Sequence, residues 1–450
     1  MTASLLPRRT AQWCAALGGV SLLLTVFLTF GLKEGGMGVH LSLVLCLAAL
    51  GGLGLALLRR EGYGREILLA ALLPIGLALL LRVLCLDYAS YDYRDFLAQW
   101  AAYFRTHGGI SAIKDPVGNY NAPYLYFMAL ISYLPFPDLY AIKLFSILFD
   151  VLLAWGGLRL VKVLLPARKA APLLAFCLLL LLPTVVLNGA YWGQCDSIYG
   201  AFVLHALACA LDKRPGWSVA LLAVAFSFKL QTIFLIPLWC VLWYGGRVKF
   251  RHLLLFPATY VLTILPAFLL GKPLGDILGV YLGQTQEYTH KLTFNAPSVF
   301  SLFPYYAEVD LAFWSKVGII AAFGLVLAVL GFLFFHRDTL SGWNILAAGV
   351  VMAIGVPYLL PYMHERYFFL ADCLTLVWFC VDRRRLPVFL LTALASLSSY
   401  CVYLRLKYTL VLSFFGQTWV MGVESLLMLA ALVLAVGALI ASSLQKKPGI

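Results

Sequence analysis

The stretch that decides the fold runs from Ala312 to Phe335 and reads AFWSKVGIIAAFGLVLAVLGFLFF, with one charged side chain, that of Lys316. An α-helix needs about twenty such apolar residues to cross the hydrocarbon core of a bilayer. Comparable or shorter apolar runs occupy 11–31, 38–58, 67–86, 139–161, 171–189, 197–211, 217–229, 231–245, 253–270, 342–361, 367–381, 386–404 and 418–443. We therefore predict an all-α polytopic membrane protein, a single transmembrane domain over 1–450 with about fourteen membrane segments.

The composition supports a membrane protein and excludes a nucleic-acid partner. Hydrophobic residues make up 63% of the 450 positions and charged residues 12%, against roughly a quarter charged in soluble domains. The net charge of +13 comes largely from basic residues at the ends of apolar runs, namely Arg8, Arg9, Arg59, Arg60, Arg168, Lys169, Lys213, Arg214, Arg247, Lys249, Arg251, Arg383, Arg384, Arg385, Lys446 and Lys447. This distribution is typical of cytoplasmic loops and predicts that both termini are cytoplasmic.

Two predicted external segments, 87–138 and 271–310, are too long to be simple connectors, and long loops in compact proteins are usually functional. The runs 217–229 and 231–245 are too short for two crossings and predict a broken hairpin. We therefore look for function on the external face.

The first external segment contains two short predicted helices at the membrane interface, Asp92–Phe104 and Pro123–Leu134. In the first, Asp92 and Asp95 lie one helical turn apart on a polar face opposite aromatic residues. Paired carboxylates in this position can act as a general base or hold a divalent cation. The alternative is a solvated polar face in which Arg94 is the partner.

The sequence YWGQCDSIY, from Tyr191 to Tyr199, combines Trp192, Gln194 and Asp196 near a helix end. An aromatic ring beside hydrogen-bonding groups suits the recognition of a sugar or a phosphate. Alternatively, Asp196 or Ser197 simply caps the next helix.

Two further groups are cationic. Lys229 lies with Gln231 at the tip of the broken hairpin. A lysine inside a membrane is energetically costly unless it is paired or hydrated, and its charge would suit a lipid phosphate. The sequence His364-Glu365-Arg366 could hold a phosphate through its arginine. The alternatives are a snorkelling lysine and an interface anchor with an internal Glu–Arg pair. No second histidine completes a HExxH motif, so no metal site is predicted here.

Taken together, these segments resemble the GT-C superfamily of membrane glycosyltransferases, in particular bacterial proteins related to the mannosyltransferase that adds the second mannose in glycosylphosphatidylinositol assembly. The matching motifs follow one another between residues 67 and 380 as SYDYRD (90–95), NYNAPYLY (119–126), WGQCD (192–196), KLQ (229–231) and HER (364–366). One departure is Asn121-Ala122-Pro123, where many relatives have two prolines.

The resemblance implies a GT-C-like catalytic region over 67–380 in a bacterial plasma membrane. It also implies an inverting transfer of a sugar, mannose among the candidates, from a polyprenyl-phosphate donor to a hydroxyl of a lipid, glycan or protein. Asp92 would be the general base, with Asp95 as the second catalytic candidate. We assign to substrate binding Tyr93, Arg94, Tyr120, Asn121, Trp192, Gln194, Asp196, Lys229, Gln231, His364, Glu365 and Arg366. No cofactor is assigned, and a divalent metal could bind the two aspartates.

Two other classes stay open. A lipid-linked sugar flippase or another transporter would show polar groups near the bilayer midplane and internal repeats, and neither is convincing in this sequence. A membrane scaffold without catalytic activity would have no need of the carboxylates.

Overall fold

A computed structural model of the protein describes residues 6–287, 289–303, 309–406 and 409–444, with only the backbone for 285–287 and 409–418. The structure is 79% helical, which confirms the predicted all-α class. The predicted cytoplasmic residues Lys446 and Lys447 lie outside the described residues, as do 288 and 304–308 of the second external segment.

The chain divides into two compact units, one built from the residues up to Leu204 with Thr263–Ile277, the other from His205–Leu262 and the residues from Leu278 onwards. The first unit contains α1 (Arg8–Thr29), α2 (Met37–Arg60), α3 (Arg65–Val83), α4 (Ala98–Thr106), α5 (Ala122–Ile131), α6 (Asp138–Leu164), α7 (Ala170–Leu181) and α8 (Pro183–Val186). A π-helical turn precedes α4 at Tyr93–Leu97, and another follows α8 at Leu187–Trp192. A 3-10 turn at Gly109–Lys114 follows α4.

The second unit contains α10 (Pro215–Phe228), α11 (Leu238–Tyr244), α12 (Phe250–Leu253), α15 (Leu311–Phe335), α16 (Gly342–Leu359), α17 (Phe369–Val381), α18 (Leu386–Tyr403) and α19 (Thr409–Leu444). Parts of α9 (Asp196–Leu211), α13 (Leu255–Leu269) and α14 (Leu274–Glu287) belong to each unit. Among the described residues, one parallel β pairing joins β1 (Thr293–Phe294) to β2 (Met363–His364).

In the described part of the chain, nine helices are long and apolar enough to cross a membrane, and a tenth span results if the pair bent by 46° at Leu182 counts as one. By helix length and composition the chain is therefore a multi-pass membrane protein, as predicted. The count of about fourteen stays a prediction. The predicted segments 197–211, 217–229 and 367–381 coincide with helices of 16, 14 and 13 residues, each shorter than the roughly twenty residues of a straight crossing.

A buried ion pair joins helices of the first unit. Arg82 of α3 donates through Nε to Oδ2 of Asp150 in α6 at 2.9 Å, and the other oxygen of that carboxylate accepts a hydrogen bond from Ser197. Arg82 also donates through Nη1 to the carbonyl of Leu180 at 3.0 Å. Unpaired charges are expensive inside a membrane, so these bonds hold α3, α6, α7 and the start of α9 together.

A buried lysine sets the direction in which the chain leaves α3. Lys143, fully buried in α6, donates to the carbonyls of Cys85 at 2.8 Å, Leu86 at 2.9 Å and Tyr88 at 2.7 Å. Carbonyls beyond a helix C-terminus have no partner within the helix, and a cation is favoured there. The lysine thereby fixes the start of the 87–138 segment.

Both predicted short helices of the 87–138 segment are present, as the π turn with α4 and as α5. Their location at the membrane interface stays a prediction. Lys272, at the start of the second predicted external segment, donates to the carbonyl of Asp115 in the first at 2.8 Å. Much of the second segment is regular, because α14 and β1 lie within it.

Candidate functional site

The first cluster of polar residues is built around Asp92. Oδ2 of Asp92 accepts a hydrogen bond from the indole Nε1 of Trp192 at 3.0 Å and another from the amide Nε2 of Gln194. Trp192 is fully buried and Gln194 nearly so, whereas Asp92 is half-buried. The structure thus brings together three residues that the sequence placed in two separate motifs.

Backbone contacts hold both sides of this cluster in place. The hydroxyl of Ser90 donates to the carbonyl of Trp192 at 2.6 Å and accepts from the backbone N–H of Tyr93 at 3.1 Å. The carbonyl of Gln194 accepts from the hydroxyl of Ser146 at 2.7 Å. Gly193, between the two donors, has a φ of +83°, a conformation that glycine adopts without steric cost.

An aromatic wall adjoins the carboxylate. The hydroxyl of Tyr120 donates to Oε1 of Gln194 at 3.2 Å, so the Gln194 amide accepts from the tyrosine and donates to Asp92. The Tyr120 ring packs edge-on against Trp100 at 5.4 Å and against Tyr124 at 4.9 Å between ring centroids. A carboxylate and an amide beside aromatic rings can bind a hydroxyl-rich ligand, since rings supply apolar contact and polar groups supply orientation.

The other residues of the first predicted helix take different positions. Asp95 and Arg94 are exposed, and of the predicted carboxylate pair only Asp92 joins Trp192 and Gln194. The physical reason is the π turn at Tyr93–Leu97, whose wider turn takes residue i+3 off the face of residue i. Burial, with the charges of Glu34 and Asp138, raises the pKa of half-buried Tyr93 to about 12, so its phenol stays protonated.

Asn121 and Asp196, both predicted to bind substrate, make contacts within the fold. The side chain of Asn121 accepts from the backbone N–H of Ala122 at 2.8 Å and caps α5. The carboxylate of fully buried Asp196 accepts from Nδ2 of Asn188 at 2.7 Å, and the Asp196 N–H donates to Oδ1 of Asn188 at 3.2 Å. No motif in the sequence singles out Asn188, although an asparagine inside an apolar run is itself a signal for a buried polar partner.

The second cluster belongs to the other unit and is built around His364. The β1–β2 pairing places the His364 ring parallel to the Phe294 ring, with centroids 4.8 Å apart. Burial, followed by the positive charges of Arg366 and Lys229, lowers the pKa of His364 well below its ordinary value. His364 is therefore neutral near pH 7 and can serve as a hydrogen-bonding group close to these two cations.

The internal Glu–Arg pair, given above as the alternative for this motif, is present. Nη1 of Arg366 lies 3.6 Å from Oε1 of Glu365, which is fully buried, and the guanidinium stacks over the Tyr367 ring at 5.7 Å from its centroid. Glu365 thereby orients Arg366, whose side chain keeps 14% of its surface exposed. The motif therefore combines a buried anion with a partly accessible cation.

Lys229 and Gln231 follow the end of α10, where the backbone at Lys229 becomes extended before a 3-10 turn at Leu230–Phe234. The predicted break in the hairpin is thus present. Lys229 is 6% exposed and Gln231 7% exposed. Within the described part of the chain, Oε1 of Gln231 and Oγ1 of the adjacent Thr232 have no hydrogen-bond partner. Buried polar atoms in native proteins nearly always have one, so these two atoms are candidate contacts for a ligand.

The backbone next to His364 is strained. Tyr362 has a φ of +64°, a left-handed conformation that costs roughly 1–3 kcal/mol in a residue other than glycine. Its N–H donates to the carbonyl of Leu292 at 2.7 Å, which together with the β pairing holds this conformation. Such strain is concentrated at functional sites.

Within the described ranges, no group of three or more His, Cys, Asp or Glu side chains could hold a metal ion. No protein-family model matches the chain, and no curated protein matches its sequence. The GT-C resemblance therefore rests on the five motifs alone.

Proposed function

We propose that this protein is an inverting membrane glycosyltransferase of the GT-C type that moves a sugar from a polyprenyl-phosphate donor to a hydroxyl acceptor on the external face of the membrane. The observation that carries the proposal is the Asp92 carboxylate, held by Trp192 and Gln194 beside the ring of Tyr120. The order of the five motifs supports it.

The reaction needs a proton acceptor at the attacking oxygen. As the acceptor oxygen forms its bond to the anomeric carbon, the bond from that carbon to the phosphate oxygen breaks with inversion, and the hydroxyl proton passes to Asp92. Two N–H donors on Oδ2 keep the carboxylate in one orientation, which is the preorganisation that proton transfer requires. The Tyr120 hydroxyl donates to Gln194 and so helps to hold the amide that donates to Asp92.

The departing phosphate needs positive charge. We assign this role to Arg366 and Lys229, the two cations that lower the pKa of the neutral His364 ring. Glu365 fixes the guanidinium, and the buried carbonyl oxygen of the Gln231 side chain would accept from a sugar hydroxyl or from water. Asp196 and Asn121 act through their neighbours as positioning residues.

The experiment is transfer of radiolabelled sugar from synthetic polyprenyl-phosphate donors by the purified full-length chain. Asp92→Asn should lower the rate by about 10²- to 10⁴-fold, the usual contribution of a general base. Asp95→Asn, which removes an exposed carboxylate three residues away, is the matched control and should retain activity. Full activity of Asp92→Asn would rule out Asp92 as the base.

A lipid-linked sugar flippase is the alternative, since transporters also bury ionisable residues among membrane helices. The fully buried Arg82–Asp150 pair is such a feature. Movement of a lipid-linked sugar across the bilayer of proteoliposomes, without any transfer to an acceptor, would favour this alternative over the transferase.

A further inference from the structure

A cluster of charged side chains surrounds one tryptophan of the first unit. Cζ of Arg60, the last residue of α2, lies 5.3 Å from the centroid of the Trp155 ring in α6. Cζ of Arg159, one turn further along α6, lies 5.5 Å from the same centroid. One ring thus brings two arginines of different helices together. We call this group the Trp155 cluster; it consists of Arg60, Glu61, Trp155, Arg159 and Lys162.

The carboxylate of the cluster already accepts hydrogen bonds within it. Oε1 of Glu61 accepts from the indole Nε1 of Trp155 at 2.9 Å, and Oε2 accepts from Nζ of Lys162 at 2.7 Å. Burial opposes its ionisation, but these hydrogen bonds, with the charges of Lys162 and Arg159, lower the pKa of Glu61. It is therefore an anion near pH 7. Three cations against this one carboxylate give the cluster a net charge of +2.

Arg60 is accessible to a ligand. It is exposed, whereas Trp155 and Arg159 are half-buried. Among the described residues, no carboxylate forms a salt bridge with Arg60, whose guanidinium contacts the Trp155 ring. A guanidinium that stacks on a ring keeps the N–H groups at the edge of its plane available, and these donors match the oxygens of a phosphate.

Two hydrogen bonds fix the backbone around the cluster. Nζ of Lys162 donates to the carbonyl of Glu61 at 3.1 Å, and the Tyr63 hydroxyl donates to the carbonyl of Lys169 at 2.9 Å. The turn between α2 and α3 is thereby bonded to the end of α6 and to the turn before α7. That second turn adds the exposed side chains of Arg168 and Lys169, so positive charge continues beyond the cluster.

The helix lengths correspond to a position at the lipid head groups. Trp155 follows Asp138, the first residue of α6, by about 26 Å of helix, and the hydrocarbon core of a bilayer is about 30 Å thick. Both α2 and α6 are candidate membrane spans. Tryptophan rings and basic side chains near the ends of such helices lie where hydrocarbon meets head groups. The charges of the cluster are therefore at the depth of lipid phosphates.

The Trp155 cluster is separate from the candidate site at Asp92. Glu61 lies in the turn before α3, whereas Asp92 lies in the segment that follows α3. The 19 residues of α3 extend over about 28 Å. The two groups of residues thus lie at opposite ends of one helix, and a ligand of the cluster is not a substrate at Asp92.

We propose that the Trp155 cluster binds the phosphate of an anionic phospholipid. The phosphate would accept hydrogen bonds from the exposed guanidinium of Arg60 and lie in the positive field of Arg159. The net charge of +2 favours a lipid that is itself negative, such as phosphatidylglycerol. The ammonium of phosphatidylethanolamine would be repelled by the same charges. The depth of the cluster favours a lipid head group over a soluble anion.

Native mass spectrometry of the full-length protein tests this with equal amounts of phosphatidylglycerol and phosphatidylethanolamine. The wild type should bind phosphatidylglycerol in preference. Arg60→Gln should weaken that binding about fivefold, the usual contribution of one basic residue near an anionic lipid. The matched control is Arg59→Gln, because Arg59 is the exposed neighbour and does not stack on a described aromatic ring. Its binding should stay within about twofold of the wild type.

A second variant separates the geometry of the cluster from its charge. Trp155→Leu retains every charge but removes the ring that holds both arginines, and it should lose about as much binding as Arg60→Gln. Thermal unfolding without lipid checks that Arg60→Gln and Arg59→Gln are folded alike. Equal losses in these two variants would show a diffuse positive surface and overturn the proposal. So would a wild type that does not prefer phosphatidylglycerol, or one that binds inorganic phosphate as tightly as the lipid.

Discussion

Gln194 donates a hydrogen bond directly to Oδ2 of Asp92, although 102 residues separate the two in the chain. The same amide accepts from Tyr120. One glutamine thus links the carboxylate to the aromatic wall, which makes it the most informative residue for testing the site without removing the proposed base.

Replacing the donors to Asp92 should lower transfer. Trp192→Phe keeps an aromatic ring but removes the indole N–H, and we expect kcat to fall about tenfold, in line with the loss of a hydrogen bond to a charged group. Gln194→Glu should fall further, because it sets a like charge against Asp92. Steady-state kinetics check this, with KM expected to change less than kcat. Unchanged kcat in both variants would show that these donors do not support the carboxylate.

His364 should make stability depend on pH in a defined direction. Its pKa is lowered in the folded protein, so below its ordinary value of about 6.5 the unfolded chain binds more protons than the folded one. The stabilisation is complete above that value and is lost as the pH falls below it. The Tm of the wild type should therefore fall between pH 7 and pH 5, and that of His364→Gln should fall less. His107→Gln, at an exposed histidine, should behave like the wild type.

The Arg82–Asp150 pair should tolerate the loss of both partners better than the loss of one. Asp150→Leu leaves a buried guanidinium without its carboxylate, and such changes cost about 3–5 kcal/mol. Arg82→Met with Asp150→Leu removes both charges and should recover much of that loss. Thermal unfolding in detergent of Arg82→Met, Asp150→Leu and the double variant gives the coupling free energy between the two side chains. Additive effects would show that the pair does not stabilise the unit.

Chelators should leave transfer unchanged. Oδ2 of Asp92 already accepts from two N–H groups, and the indole of Trp192 cannot ligate a cation. Asp95 is exposed and does not join Trp192 and Gln194 at that carboxylate. Activity with EDTA should equal activity with Mg²⁺ or Mn²⁺. A loss restored by one of these ions would mean that a metal displaces the two donors when substrate binds.

The membrane class could be predicted from the sequence because it depends on composition and run length. The number of crossings could not, because an apolar run indicates burial and not a crossing. The run 197–211 lies in α9, and most residues of α9 are buried within the protein. Apolar side chains can be shielded from water by other protein residues as well as by lipid. Short apolar helices of this kind are the reason why hydropathy alone does not fix the number of crossings.

At the candidate site, the local sequence pattern identifies candidate residues better than it predicts which residues they contact. The internal Glu365–Arg366 pair was anticipated as an alternative because both residues are adjacent in sequence. The α-helical spacing of the sequence pairs Asp95 with Asp92, and the π turn at Tyr93–Leu97 changes that spacing. The contact of Asn188 with Asp196 and the stacking of Phe294 on His364 depend on tertiary structure and have no local pattern.

The ion pair between α3 and α6 also has a consequence for biosynthesis. Arg82 is synthesised 68 residues before Asp150, and at about 5–20 residues per second its partner follows about 3–14 seconds later. During that interval α3 carries an arginine with no counter-charge, which opposes its release into lipid. We therefore expect α3 to stay at the translocon until α6 emerges, so that the two helices enter the bilayer together.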